Sequence, residues 1–202
     1  MKIGWLYIAF LVILTGCIGQ TKVQQGLETT TLSLSYTESE IEEAIEYGKQ
    51  HKGPDDLNFT LPWKYPPHST FEDHLIIYTP YLKIARDSQE KARLYKLVDR
   101  EEIGQFLDSD KWAIVLMAFG DSYGFAQDYH MVVLYEGEVI QPTNAETWLG
   151  ERLTQLRGTK YVAANMYEFP GFSRVKGKTV TVKVVKSGGE EDTYTVGLQS
   201  MK

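Results

Sequence analysis

The residues best suited to chemistry stand just after a long apolar run. Gly120-Asp121-Ser122-Tyr123-Gly124 has G-x-S-x-G spacing, in which glycines let the chain turn sharply enough to expose a serine hydroxyl and a following helix aims its amides at an oxyanion. The base for such a nucleophile would be His130, the histidine that comes after the serine in the chain. The residues after Ser122, however, read as a short loop and another strand, which sets His130 inside that strand and supplies no helix.

Metal chemistry would draw on His51, His68, His74 and His130 with Asp55, Asp56, Asp73 and Asp128. Catalytic zinc needs three converging ligands, and the motifs that guarantee convergence place two histidines one helical turn apart. No pair here has that spacing. His74 and His130 would meet only if their strands were neighbours in register. Asp121 and Asp128 flank one loop and offer oxygens to calcium, without the close Asp/Asn ladder of calcium loops. No metal or other cofactor is therefore expected.

A third constellation is aromatic. Phe59, Trp63, Tyr65 and Phe71 lie among Pro54, Pro62, Pro66 and Pro67. Exposed, they would form a platform for stacking sugars or docking a peptide; buried, they would pin a long loop to the body of the fold. Packing is the favoured expectation, and the platform is the alternative.

Phe119-Gly120-Asp121-Ser122 also resembles the first block of GDSL-type esterases. That resemblance would imply a serine hydrolase using Ser122 and His130. The family's Asp-x-x-His is missing, since Asp128-Tyr129-His130 has one residue between, and the block stands in mid-chain. Thr79-Pro80-Tyr81-Leu82-Lys83-Ile84-Ala85 resembles a segment of uncharacterised bacterial secreted proteins and implies no activity.

The elements that must position these residues change character halfway along the chain. Thr37 with Glu40 forms a capping-box pattern, and Ile41, Ala44, Ile45 and Gly48 keep helical spacing as far as His51. Gly53 to Pro67 is expected to be an irregular loop, because its prolines deny it donors and helical angles. His74 to Tyr78 reads as a strand. Thr79-Pro80 then opens a second helix whose apolar positions include Leu82, Ile84, Ala85, Ala92 and Tyr95, and Asp99 with Glu102 opens a third.

Beyond Asp110 the pattern is β. Trp112–Phe119 and Tyr129–Tyr135 are apolar enough to be covered on both faces. Val139–Gln141, Tyr161–Phe169, Val180–Val185 and Thr193–Leu198 come next with hairpin-length links. Trp148, Leu149, Leu153 and Leu156 suggest a short amphipathic helix. The expected class is α+β: N-terminal helices packed on an antiparallel sheet or sandwich of five to six strands in the C-terminal half.

The start of the chain carries an address. Lys2 precedes an apolar run from Ile3 to Leu14, and Leu14-Thr15-Gly16-Cys17 holds the chain's single cysteine. A positive start, a short apolar stretch and a small-residue cleavage site make a signal peptide. The tetrapeptide resembles the lipobox of bacterial lipoproteins, which implies cleavage before Cys17 and attachment of lipid to its sulfur. The organisation expected is a signal peptide at 1–16, a flexible polar tether at 17–36 and one α+β domain at 37–202.

Without residues 1–16 the chain has 20 basic and 27 acidic residues, a formal charge of −7. That sign argues against a nucleic-acid partner and against general attraction to anionic headgroups, so the membrane is expected to be met through the lipid on Cys17. The acidic runs Glu38–Glu46 and Glu190–Asp192 read as solvated faces. The leading expectation is a lipid-anchored extracytoplasmic lipoprotein, on the periplasmic face of the outer membrane where a cell has two membranes and at the cell surface otherwise. It would act without catalysis, as an interaction or assembly module with a protein or glycan partner. The alternatives are the esterase using Ser122 and His130, and a glycan- or peptide-binding module centred on Trp63.

Overall fold

The computed structural model describes residues 36–53, 56–67, 72–152 and 161–201. Helix α1 (Glu38–Gln50) begins at a complete capping box: the Thr37 hydroxyl accepts from the Glu40 N–H at 3.2 Å, and the Glu40 carboxylate accepts from the Thr37 N–H at 2.7 Å. Two donors that the helix cannot satisfy internally are thereby paired. Helix α2 (Asp56–Thr60) comes next, continued by a 3-10 turn over Leu61–Trp63. The irregular loop expected over 53–67 is thus partly regular. Pro62 is tolerated because a proline at the start of a helical turn lacks only a donor that would have no partner there.

Helix α3 (Pro80–Arg93) starts where its cap is written, the Thr79 hydroxyl accepting from the Leu82 N–H at 3.2 Å. Helix α4 (Arg100–Asp108) is capped by Asp99, whose carboxylate accepts from the Glu101 N–H at 2.9 Å. Helices α1 and α3 run side by side in the same direction. The Gln89 amide donates to the His51 carbonyl at 2.5 Å near their C-terminal ends, and Gly48 meets Ser88 between them. A single-turn helix, α5 (Phe172–Val175), lies between strands.

Nine strands are present among the described residues: β1 (Lys64–Tyr65), β2 (His74–Tyr78), β3 (Lys111–Gly120), β4 (His130–Tyr135), β5 (Glu138–Ile140), β6 (Asn144–Arg152), β7 (Tyr161–Pro170), β8 (Thr179–Val185) and β9 (Glu191–Gly197). They form two antiparallel sheets, one in the order β1-β2-β3-β7-β6 and the other β5-β4-β8-β9. The α+β expectation holds.

Two apolar cores explain the layering. Leu75, Ile77, Trp112, Ile114 and Leu116 of the first sheet meet Met131, Val133, Val182 and Val184 of the second. On the first sheet's other face, Ile41, Ile45, Phe59, Trp63, Tyr81 and Leu82 of the helical layer pack over Ile76 and Tyr78. Strand β3 lies between the two cores and is buried continuously from Trp112 to Leu116. That is why its sequence is apolar without alternation.

Three expectations are corrected. Strand β4 buries Met131 and Val133 but leaves its alternate residues partly open, so one face is covered rather than two. Trp148 lies in β6, not in a helix. Backbone pairing from Asn144↔Glu168 to Arg152↔Tyr161 along the edge of β7 overrides the helical spacing of the leucines, with a bulge between Trp148 and Glu151. Leu153 and Leu156 lie outside the described residues. Finally Tyr36, assigned to the tether, packs against both cores with the Lys176 ammonium 3.7 Å from its ring centroid.

Candidate functional site

The loop that carries Ser122 is held from beneath. Asn165 and Tyr167 project from β7 into the sandwich; the Asn165 amide donates to the Ala126 carbonyl at 2.7 Å, and the Tyr167 hydroxyl donates to the Tyr129 carbonyl at 2.7 Å. Ala126 is buried, and successive turns close from Phe125 N–H to Ser122 O, Gln127 N–H to Gly124 O and Tyr129 N–H to Ala126 O. Gly124 has φ +74°, a conformation that favours glycine.

The letters G-x-S-x-G are therefore satisfied by a connection between β3 and β4. Ser122 is exposed, and its hydroxyl makes no hydrogen bond among the described residues. His130 is exposed at the start of β4. No helix comes after the serine, so the amides that would stabilise an oxyanion are not assembled. No hydrogen bond joins Ser122 to His130 among the described residues.

The histidines are dispersed. His51 sits at the end of α1, stacked on Tyr47 with ring centroids 4.0 Å apart and Nδ1 2.7 Å from the Tyr47 carbonyl oxygen. His74 is buried in β2 of the first sheet, its Nδ1 2.9 Å from the Glu72 carbonyl oxygen. Burial lowers its pKa against the smaller upward pull of that bond. His130 belongs to the second sheet, so the neighbouring register that would bring it to His74 does not occur. Among the described residues no group of three or more His, Cys, Asp or Glu side chains is arranged to hold a metal.

The aromatic platform is not formed by Phe59 and Trp63. Trp63 is 4% exposed, lying edge-on to Tyr47 at 5.5 Å and tilted on Tyr81 at 5.9 Å. Phe59 is fully buried, the Tyr47 hydroxyl donates to its carbonyl at 2.9 Å, and the Arg86 guanidinium lies 5.7 Å from its ring centroid. Both rings fasten the segment after α1 to α1 and α3. Tyr65 is half-buried, edge-on to Tyr194 at 6.4 Å. Phe71, His68, Asp55 and Cys17 lie outside the described residues.

Two features emerge that the sequence pattern does not announce. The first is a cleft of about 480 Å³ whose polar groups come from both sheets. Lys186 stands 2.9 Å from an Asp73 oxygen and 2.7 Å from an Asp192 oxygen, while the other Asp73 oxygen accepts from the Phe119 N–H at 2.9 Å. Burial by itself would lower the Lys186 pKa, but its bonds to Asp192 and Asp73 outweigh burial and the net shift is upward. Burial, aided by Asp192, pushes the Tyr194 hydroxyl up to about 12. With both acids bridged by one ammonium, the cluster clasps the two sheets together.

The second feature is the connection between α3 and α4. Tyr95, expected on the buried side of α3, lies past its end with φ +55° and 98% exposure; Leu97 is 92% and Leu94 55% exposed. The Lys96 N–H donates to the Lys91 carbonyl at 2.8 Å and the Tyr95 N–H to the Ala92 carbonyl at 3.3 Å. This is a Schellman closure with tyrosine where glycine is usual. A side chain in that left-handed conformation costs about 1 kcal/mol. The one legible signal is the run Arg93-Leu94-Tyr95-Lys96-Leu97-Val98, a helix-to-helix link with no glycine, proline or small polar residue.

Among known proteins, no family model matches this chain and no curated protein matches it.

Proposed function

We propose that the chain is a bacterial lipoprotein, anchored through lipid on Cys17 outside the cytoplasmic membrane, whose folded body acts as a non-enzymatic interaction module. The observation that carries the anchor is the order of parts at the start of the sequence: Lys2, the apolar run Ile3–Leu14, then Leu14-Thr15-Gly16-Cys17 with the single cysteine last. The body supports the non-enzymatic half of the reading through what its polar groups already do. The Ser122 loop is a fixed strand connection, Asp73 and Asp192 are engaged by Lys186, and His74 is buried.

Labelled palmitate fed to growing cells tests the anchor. It is expected to enter the wild-type protein and not Cys17→Ser, because a hydroxyl cannot replace the thiol in lipid transfer. Equal incorporation in both would overturn the reading. Ile18 after the cysteine, rather than Asp, resembles the sorting pattern for outer-membrane delivery, and fractionation of a two-membraned host tests that destination.

A further inference from the structure

Leu94, Tyr95 and Leu97 are exposed within four residues at the C-terminal end of α3, Leu94 at the rim of one shallow cleft and Leu97 at the rim of another, and clustered apolar exposure of this kind marks a surface that meets something. The charge around it is distinctive. Arg93 and Lys96 flank the apolar residues in the chain, and Lys49 at the end of α1 lines the same concavity as Lys96 and Leu97. Lys52 comes after His51, whose carbonyl is bonded to Gln89 of α3.

None of these four cations makes an ion pair among the described residues. Their neighbours do: Lys91 is held by Asp87 and Glu102, and Arg100 by Glu38 and Glu42. The acids at this end are Glu90, Glu46, which accepts from the Gln50 amide, and Asp99, which caps α4. A chain that is acidic overall thus leaves four cations without an ion pair, among the described residues, beside its most exposed apolar side chains.

The occupant that fits is a lipid surface. A protein interface of ordinary size buries about 800 Å² on each side, usually over a flat or grooved area. Three exposed apolar side chains with unpaired cations beside them match the headgroup region of a bilayer instead, where apolar groups enter the acyl boundary and Lys and Arg meet lipid phosphates. A tyrosine ring, apolar in body and polar at its tip, suits that depth. The left-handed backbone at Tyr95 is a strained position retained without any packing contact to reward it, as at sites shaped by function.

We propose that the Leu94–Leu97 tip docks on an anionic bilayer, with Leu94, Tyr95 and Leu97 inserted and Arg93, Lys96, Lys49 and Lys52 on the phosphates. The proposal rests on the lipoprotein reading only for bringing a bilayer within reach. Tyr36 lies beside Tyr81 at the opposite end of the helix pair, about 20 Å from the tip along the 13 residues of α1. Twenty residues from Cys17 to Tyr36 span up to about 65 Å when extended. Docking would hold the C-terminal ends of α1 and α3 against the membrane and turn the second sheet away from it.

The test places a nitroxide on Tyr95→Cys in the full chain, reconstituted with phosphatidylcholine vesicles with or without phosphatidylglycerol. With the anionic lipid, the label is expected to become accessible to dissolved oxygen and shielded from a water-soluble nickel complex. A label at Val139→Cys, in β5 of the other sheet, should stay in water. Neutralising Arg93 and Lys96 together should weaken association roughly 25-fold, about fivefold for each cation. Tyr95→Gly should raise the melting temperature while weakening association, an opposition that a purely structural residue would not show.

Equal nickel access with both lipids would overturn the proposal. So would a label already immobilised without vesicles, which would mean that protein covers the tip. Failure of the anchor reads out separately: wild type, with Cys17 as its only thiol, takes up label only when that thiol is unacylated. In that event the Cys17→Ser/Tyr95→Cys chain carries the docking test alone.

Discussion

Replacing Gly48 with alanine should destabilise this protein, although helix propensity alone predicts the reverse. In an exposed helix interior, Gly→Ala stabilises by about 1 kcal/mol. Gly48 is buried against α3, and a Cβ there would stand 2.8 Å from the Gln89 backbone nitrogen and 2.8 Å from Ser88 Cβ, and nearer still to the Ala85 carbonyl oxygen. Ordinary contact begins near 3.4 Å. Two of the three obstacles are backbone atoms, so no rotamer change relieves the clash, and the helices must part. Overpacking of this kind costs about 1–3 kcal/mol. At the upper end of that range, and after the propensity gain, the net loss is about 2 kcal/mol, equivalent to a fall of about 4–8 °C in melting temperature for a domain of this size. Gly104 in α4 supplies the control: a Cβ there meets nothing within 4 Å, so Gly104→Ala should raise stability by about 1 kcal/mol. Urea or thermal unfolding of both variants decides the matter. Gly48→Ala as stable as wild type, or shifts of the same sign in both variants, would refute the close-approach argument.

Burial depresses the His74 pKa in the folded state, so below about pH 6.5 the unfolded chain binds the proton more readily. The stability associated with His74 is therefore complete above that pH and is lost as pH falls toward the depressed value. His74→Gln should flatten the melting-temperature profile between about pH 7 and pH 5, and profiles that stay parallel would contradict this sign. Ser122→Ala should change stability by less than about 0.5 kcal/mol, and wild type should not be labelled by a fluorophosphonate probe above a heat-denatured control. Stoichiometric labelling that vanishes in Ser122→Ala would install the hydrolase instead.

Local features were legible in proportion to how local their physics is. Thr37 with Glu40, Thr79 with Pro80, and Asp99 each satisfy helix-end donors within a few residues, and the helices begin where those side chains stand. The change from helices to hairpin-linked strands was likewise written in short-range spacing. The apolar density of β3 announced a strand with both faces covered, because burial on two sides removes the need for alternation. Trp148 shows where such reasoning stops. Its helical spacing was real, but an open edge on β7 offered the backbone a full ladder, and that partner is distant in sequence.

Sequence by itself determined the class of fold, the starts of α1, α3 and α4, and the expectation of a lipid address. Tertiary structure alone decided which side chains are available to act. Phe59 and Trp63 have the composition of a binding platform and became core, since the helices α1 and α3 close over them. Tyr95 has the spacing of a core residue and became the most exposed large apolar side chain described, since α3 ends two residues before it. Asp73, Lys186 and Asp192 were scattered letters until the ends of β2, β8 and β9 met. Periodicity records which residues share a face of their own element. Whether that face is covered depends on partners far along the chain, and only the folded arrangement brings them together.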